Sequence, residues 1–338
     1  MKKYFAFIGI IFLFGFTFWY ATLPEEAEFD GERYVTLSQA TQEDCIAGEE
    51  YDSQSQSCFI ICTDLENCIA REDALFAEAY GEFQLPSRTS DWEKPLSDED
   101  PLVRYTIDGE DLVGPNFPDS SSEDLILLDE SEHQELWDRT RQIIPNRFIE
   151  LYLEEIIIFS DGIDETLAYV EPVDDTLESW ALGLDPVDMQ DPQTLEATIV
   201  HELAHLLSLH SGQIDPDGRS CHPTYEVSEG CVLLSSYLAR FFDRFWLSIY
   251  DEWLEVERIE DEDEYYEALD MFYIQYQNDF VSDYAVTNPE EDFAESFMVY
   301  ILGRSRGLSD EQREKVEFFS QFPEFEELKR ELRAALSS

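Results

Sequence analysis

The segment that decides the fold reads LEATIVHELAHLLSLH, residues 195–210. It contains the pattern H-E-x-x-H, with His201, Glu202 and His205 at its fixed positions. Residues four apart on a helix lie one turn apart on the same face, so both imidazoles can reach one metal ion. Glu202 lies one residue further on and can accept a proton from water at the open side of that ion. The pattern therefore predicts a hydrolytic zinc site.

The residues around the motif favour a helix. Asp191 suits the N-cap and Pro192 suits the first helical position. The alternative is a buried helix whose histidines only satisfy hydrogen bonds. Three of the five histidines lie within 201–210, however, which favours a metal site. Apolar residues at helical spacing predict a face that packs on the core, and they are Leu195, Ile199, Leu203, Leu206 and Leu207.

Charge and composition exclude one class of partner and indicate a compartment. The 338 residues carry a formal net charge of −56 with only 21 Lys and Arg, which argues against binding to nucleic-acid phosphates. In residues 1–23, Lys2 and Lys3 precede an apolar run over residues 4–20. This arrangement predicts either a cleaved signal peptide or an uncleaved N-terminal membrane anchor. We therefore expect an exported protein, secreted or anchored at the outer face of the membrane.

The six cysteines fit an exported protein, in which an even number predicts disulfides. Four cluster near the N-terminus and two lie far downstream. We expect two bridges of open pairing within the cluster and a third between the downstream pair. A metal site in the cluster is the weaker alternative, because its spacing lacks the paired C-x-x-C of zinc modules. The clustered residues are Cys45, Cys58, Cys62 and Cys68, and the downstream pair is Cys221 and Cys231.

Composition divides the remaining chain into three predicted parts. Residues 24–80 are acidic and turn-rich, and too few for a large core, so disulfides must stabilise them as a small module. Residues 81–122 contain repeated prolines and predict a linker or extended strap. Residues 123–338 are expected to form one large α+β domain.

Within this domain, hydrophobic periodicity predicts a small sheet before the motif helix and mostly helices after it. An aromatic stripe over residues 232–256 predicts one long helix that packs in the core. An edge strand beside a cleft can pair with an extended peptide. Helices are predicted over 130–144, 232–256 and 265–280, and strands over 148–159, 166–170 and 180–184.

A catalytic zinc site needs a third protein ligand. His210 falls one residue short of the third-histidine position of the extended histidine pattern, where Ser211 stands. A carboxylate on a later helix is the other source. The segment from Asn288 to Gly303 offers one, because Asn288 suits an N-cap, Pro289 suits the first position and Gly303 suits the end of a helix.

Two roles are open for Glu291 within that segment. It can bind the metal, with Glu295 one turn later on the same face hydrogen-bonding a ligand histidine. Alternatively, Asn288 and Glu291 form a capping box, and Glu290 and Asp292 complement the helix dipole. Spacing alone leaves both roles open.

The motif helix and the segment YAVTNPEEDFAESF, residues 284–297, together resemble the gluzincin metallopeptidases. The resemblance extends to a bacterial group of zinc-binding metallopeptidases and to the protease domain of anthrax lethal factor, which has a similar Tyr-x-x-Thr-Asn-x-x-Glu-x-Phe-Ala-Glu segment. It covers residues 123–310 and implies a zincin-like fold, Glu291 as the third ligand and Tyr284 as the hydroxyl that steadies the oxyanion. Thermolysin is more distantly similar, because the spacing from His205 to Glu291 is far longer here. Tyr284 is otherwise an ordinary core or helix-start aromatic residue.

The expected function is an exported zinc endopeptidase that cleaves peptides or proteins. His201, His205 and Glu291 would hold Zn²⁺, Glu202 would act as the general base, and Tyr284 would donate to the oxyanion. The alternative is a non-catalytic, zinc-stabilised protein of the cell surface that binds or adheres through its cysteine module. Glu202 favours the enzyme, because a structural zinc site has no use for a base there.

Overall fold

The computed structural model combines small sheets with helices, which confirms the α+β class. Within the residues that it describes there are three small sheets and ten α-helices. Among these helices none is both long and apolar enough to cross a membrane. The apolar run 4–20 lies outside the described residues. Those residues are 33–38, 41–42, 45, 49–63, 65–81, 103–116, 130–159, 166–186, 191–303 and 307–337.

The N-terminal region is a three-stranded antiparallel sheet followed by a helix. Two disulfides, Cys45–Cys58 and Cys62–Cys68, lie within it and confirm the prediction of two bridges in the cluster. The second bridge joins the end of the sheet to the helix. The elements are β1 (Arg33–Ser38), β2 (Glu50–Asp52), β3 (Ser57–Ile61) and α1 (Leu65–Tyr80), with strand order β1-β3-β2.

The central sheet has five strands in the order β5-β4-β6-β8-β7. β6 and β8 run parallel, while the other neighbours are antiparallel. Every residue of β8 is buried, as expected for an interior strand covered on both faces. The strands are β4 (Val103–Asp108), β5 (Asp111–Asn116), β6 (Leu153–Ile158), β7 (Ala168–Pro172) and β8 (Trp180–Leu184).

The hairpin of β4 and β5 corrects the prediction of a linker or strap over 81–122, since residues 103–116 belong to the sheet. Val103 and Tyr105 are buried at the spacing of a strand, but the prolines around them obscured this signal. Pro115 is tolerated because β5 is an edge strand, so the N–H that proline lacks is not needed for a hydrogen bond to a further strand. The hairpin is tied to the next helix by Trp137, whose indole Nε1 donates to the Glu110 carbonyl at 3.1 Å.

Two helices lie between β5 and β6 in the chain, α2 (Glu130–Ile143) and α3 (Asn146–Tyr152). The predicted helix over 130–144 is confirmed. The predicted strand over 148–159 is too long, because its first half forms α3. Phe148 and Tyr152 stack one helical turn apart with ring centroids 6.3 Å apart, a contact that competes with the strand preference of these residues.

The motif lies on α4 (Pro192–Leu209), as predicted. Asp191 caps it, with its Oδ2 accepting from the Thr194 backbone N–H at 2.9 Å. α4 packs against α2, against β7 and against a later helix. After α4 comes a small antiparallel sheet stapled by the predicted Cys221–Cys231 bridge, which is confirmed. Its strands are β9 (Ile214–Asp215), β10 (Glu226–Val227) and β11 (Gly230–Val232).

The C-terminal part is helical, and aromatic residues such as Phe241, Phe293 and Phe319 fill its core. The predicted single helix over 232–256 is instead two helices, broken near Trp246. The apolar periodicity continues through the break, so the sequence pattern could not locate it. The helices are α5 (Tyr237–Phe245), α6 (Tyr250–Glu257), α7 (Glu262–Tyr276), α8 (Pro289–Leu302), α9 (Asp310–Glu317) and α10 (Pro323–Leu336).

Candidate metal centre

α4 and α8 pack side by side and present their polar residues to each other. α8 begins and ends as predicted. The Asn288 side chain accepts from the Glu291 backbone N–H at 2.7 Å, Pro289 is the first helical residue, and Gly303 ends the helix with φ +77°. This start places Glu291 in the first turn and Glu295 one turn later, both facing the motif on α4.

Three ligand atoms converge between the two helices. The Nε2 atom of His201 lies 3.1 Å from the Nε2 atom of His205 and 3.0 Å from the Oε2 atom of Glu291. The Nε2 atom of His205 lies 3.4 Å from the same Glu291 oxygen. A tetrahedral zinc ion with bonds of about 2.0 Å separates neighbouring ligand atoms by about 3.3 Å. The three atoms therefore fit three corners of such a site.

Glu295 fixes the tautomer of one ligand histidine. The Nδ1 atom of His201 lies 2.8 Å from the Oε1 atom of Glu295, and both residues are buried. Because a carboxylate accepts, the Nδ1–H donates, and Nε2 is the nitrogen that faces the cluster and would bind a metal once the imidazole has lost its second proton. His205 has no matching support among the described residues, where its buried Nδ1 atom lacks a hydrogen-bond partner. The centre is therefore supported mainly from the α8 side.

The electrostatics of the cluster favour a positive charge. Burial lowers the pKa of His201, but its hydrogen bonds to Glu291 and Glu295 outweigh burial and raise that pKa to about 10. Burial likewise raises the pKa of Glu291, but the imidazoles of His205 and His201 hold it well below its usual range. Without a metal, the site thus retains a proton. Two imidazole nitrogens and a carboxylate oxygen are also a donor set that suits zinc.

The structure decides between the two roles considered for Glu291, because its carboxylate faces the imidazoles and only the Asn288 half of a capping box is formed. Its backbone N–H takes part in the cap with Asn288, while its carboxylate lies against the imidazoles. The sequence interpretation gave Glu290 and Asp292, the residues on either side of Glu291, no role beyond complementing the helix dipole. Their burial and contacts correct this. Asp292 is fully buried and paired with Lys315. The Oε2 atom of Glu290 is buried without a partner among the described residues, and burial raises the pKa of Glu290 to about 8.

The two predicted catalytic residues lie beside the cluster. Glu202 is 5% exposed and directly follows His201 on α4. The Tyr284 ring lies 6.0 Å from the His201 ring, centroid to centroid. Tyr284 starts a short 3-10 turn, Tyr284–Val286, whose carbonyl at Tyr284 accepts from the Thr287 hydroxyl at 2.8 Å. His210 lies away from this group and contacts Tyr152, with ring centroids 4.8 Å apart.

A second group with metal-ligating residue types lies in the N-terminal region and consists of Cys45, Glu49 and Cys58. Its two sulfur atoms are bonded to each other in a disulfide. They therefore cannot act as thiolate ligands. Within the described residues, the His201, His205 and Glu291 group is the one whose ligand atoms are available to bind a metal.

Comparison with known proteins adds no assignment. No protein-family profile matches the sequence, no curated protein matches it, and no solved structure matches the fold. The interpretation of the centre therefore depends on its own residues and their geometry.

Proposed function

We propose that this protein is an exported zinc metallopeptidase with a zincin-like fold, similar to the gluzincins. The observation that carries the proposal is the convergence of His201, His205 and Glu291 within 3.0–3.4 Å of one another. Glu291 comes from a helix 90 residues further along the chain than His201, so local sequence does not force this approach. Zinc bound there would polarise a peptide carbonyl and make water more acidic.

The residues around the cluster have the roles that peptide hydrolysis needs. Glu202 takes a proton from the attacking water and returns it to the leaving amine. Tyr284 donates a hydrogen bond to the oxyanion that develops on the carbonyl, a contribution of up to about 3 kcal/mol for a preorganised donor. Glu295 keeps His201 in the tautomer that leaves Nε2 free.

The sheet offers a place for an extended peptide substrate. β7 is an edge strand, antiparallel to β8, and it packs against the motif helix α4. The free backbone groups of such an edge can pair with a peptide strand. The other edge, β5, is held by α2, where the Leu112 backbone N–H donates to the Gln134 side chain at 3.1 Å. We therefore place the substrate along β7.

Export is supported by the three disulfides and by the apolar run 4–20 that follows two lysines. Disulfides persist in oxidising compartments such as the periplasm or the outside of the cell. The strongly acidic composition suits a protein that remains soluble there.

The proposal is tested by Glu202→Gln. We expect this variant to keep one equivalent of zinc and to lose at least about 100-fold in kcat on a denatured protein or a peptide library, because the general base is gone. Glu196→Gln, on the same helix and away from the cluster, is the matched control and should keep both properties. Zinc content is measured by elemental analysis.

Two outcomes contradict the proposal in different ways. A Glu202→Gln variant with zinc and full activity removes Glu202 from the mechanism. A wild-type protein that binds zinc and cleaves no peptide supports the non-catalytic alternative, a zinc-stabilised surface protein.

A further inference from the structure

The residue directly after Glu291 is the centre of a buried charged cluster. The Oδ2 atom of Asp292 accepts from Lys315 Nζ at 2.5 Å and from the Trp246 indole Nε1 at 2.8 Å. Its other oxygen accepts from the Ser296 hydroxyl at 3.4 Å. Asp292 is 0% exposed and Lys315 is 2% exposed. The cluster therefore joins α8 to α9 and to the break between α5 and α6.

Lys315 is the one fully buried residue of α9, whose other residues are exposed or half-buried. Its ammonium lies 4.1 Å from the centre of the Phe280 ring, so it lies on an aromatic surface as well as on Asp292. Burial raises the pKa of Asp292 and lowers that of Lys315, because burial disfavours both charged forms. A lysine is rarely buried so completely unless it is paired.

Stability alone is a poor reason for this pair. Removing two charges from water costs several kcal/mol for each ion, and replacing such a pair by apolar residues of similar volume is often neutral or stabilising. Unlike an apolar contact, the pair has a preferred geometry, so it favours one orientation of the two helices. A short hydrogen bond between two charged groups holds a helix at one rotation about its own axis.

Rotation of α8 determines where the metal ligand points. Adjacent residues on a helix are about 100° apart, so Asp292 faces α9 while Glu291 and Glu295 face the motif. A helix rotation of about 20° moves an atom at about 6 Å from the axis by about 2 Å. A metal site accepts ligand displacements of only about 0.2 Å. A small rotation of α8 would therefore displace the Glu291 carboxylate enough to weaken metal binding.

We propose that Asp292, Lys315 and Trp246 are positioning residues that fix the rotation of α8 and so hold Glu291 and Glu295 against His201 for metal binding. This inference deepens the proposed function and relies on only one part of it, that the centre binds a metal. It is tested by metal binding, with peptide cleavage measured separately.

The experiment compares four full-length proteins. They are the wild type, Trp246→Phe, the double variant Asp292→Asn/Lys315→Met, and the control Asp73→Asn/Lys329→Met/Arg333→Met, which neutralises a buried group of three charges near the other end of α8. The Asp292→Asn change keeps an acceptor for Trp246 and leaves no unpaired charge. Zinc affinity is measured against a chromophoric chelator, and the visible absorption of the Co²⁺-loaded protein reports the ligand geometry. Thermal unfolding shows that each protein is folded.

We expect the double variant to fold and to bind zinc at least about tenfold more weakly, with an altered Co²⁺ spectrum. Trp246→Phe should shift both readouts in the same direction by less. The control should match the wild type in zinc affinity and in spectrum, because its three charged groups do not contact the metal end of α8.

A folded double variant with wild-type zinc affinity and spectrum overturns the inference. If that variant does not fold, Trp246→Phe decides, since wild-type metal binding after loss of this donor also overturns it. A wild type that binds neither zinc nor cobalt overturns both the inference and the proposed function. A wild type that binds metal but cleaves no peptide overturns the proposed function alone.

Discussion

The two ends of α8 are each held by a buried cation from a later helix, but the two cations have different partners. At the N-terminal end, Lys315 binds Asp292, a carboxylate of α8 itself. At the C-terminal end, Arg333 donates from Nε to the Ile301 carbonyl at 2.7 Å and from Nη1 to Asp73 of α1 at 2.7 Å. Lys315 is thus directed at a side chain beside the proposed metal ligand Glu291, and Arg333 bridges the end of α8 to the N-terminal region.

The choice of cation follows from these partners. A guanidinium has several donors in a fixed plane, so Arg333 can serve a free helix carbonyl and a carboxylate at once. It also lies over the buried Phe76 ring, 4.7 Å from its centre. The Lys315 ammonium is a compact point charge that serves one carboxylate. We infer that the contact at the N-terminal end of α8 fixes the position of the proposed metal ligand. The contact at the C-terminal end attaches α1, the helix that carries a disulfide.

This attachment bears on how the chain is divided. α1 lies within the predicted module 24–80, yet its Asp73 binds Arg333 of α10. At its end, the Tyr80 carbonyl accepts from the Gln193 side chain at 3.3 Å, in the first turn of α4. The module therefore contacts α4 directly and α8 through Arg333, away from the proposed metal ligands on these two helices. Its boundary at residue 80 stays a prediction.

The largest effect is expected at the metal end. Glu291→Gln removes the charged ligand and should lower zinc affinity by at least about 100-fold, more than the loss of an outer hydrogen bond to a ligand. Competition with a chromophoric chelator measures this. Glu290→Gln, one residue earlier in the same turn, is the control and should bind zinc as the wild type does. Equal zinc affinity for both variants would remove Glu291 from the site.

A smaller effect is expected at the other end, and on a different property. Asp73→Ala leaves Arg333 and Lys329, both buried, without the carboxylate they share, and should destabilise the protein by about 3–5 kcal/mol. Denaturant unfolding of the metal-free protein measures this. The zinc affinity of the folded fraction should not change. Glu255→Ala, which breaks the exposed pair with Arg258, is the control and should cost no more than about 1 kcal/mol.

If Asp73→Ala weakens zinc binding as strongly as it lowers stability, the two ends of α8 do not act separately. The contact of α1 with Arg333 would then also affect the position of the proposed metal ligands. α1 would have to be treated as part of the support of the metal centre.

Features of the molecule encoded by local spacing were predictable from the sequence. The helix that carries His201 and His205 has its cap and its first-turn proline where local rules place them. α8 likewise starts at Asn288 and ends at Gly303. The Cys221–Cys231 bridge followed from an isolated pair of cysteines in a chain that was predicted to be exported. Helix caps, helix ends and an isolated cysteine pair depend on only a few neighbouring residues, and tertiary packing does not change them here.

Features that depend on distant partners were not predictable. Asp292 is 23 residues from Lys315 and 46 residues from Trp246, and no short motif links these positions. Its sequence neighbours made a helix-dipole role the natural interpretation. The approach of Glu291 to the imidazoles was suggested by spacing and by family resemblance, yet spacing alone left the capping box open. Only the packing of α8 against α4 decides between a capping role and a role at the imidazoles, because the local sequence allows the Glu291 side chain to take either.

The last effect is the smallest for a single step, about tenfold in zinc affinity for one pH unit, and it concerns a proton held only at the N-terminal end of α8. Burial lowers the pKa of His201, but hydrogen bonds to Glu291 and Glu295 raise it to about 10, above its ordinary value of 6.5. This proton stabilises the metal-free protein fully below pH 6.5, and the stabilisation is lost as pH rises through 10. Zinc must displace the same proton, so zinc affinity should rise about tenfold per pH unit until near pH 10 and then level off.

Calorimetry in buffers of different ionisation heat measures the proton released, about one at pH 8. Glu295→Gln removes the charge from one of the two acceptors that raise the pKa of His201, so the levelling should begin at lower pH. Asp73→Ala should leave the pH profile as it is, because its pair lies at the other end of α8. A flat pH profile in the wild type would show that no such proton is held between the imidazoles and Glu291, and the electrostatic account of the centre would have to be replaced.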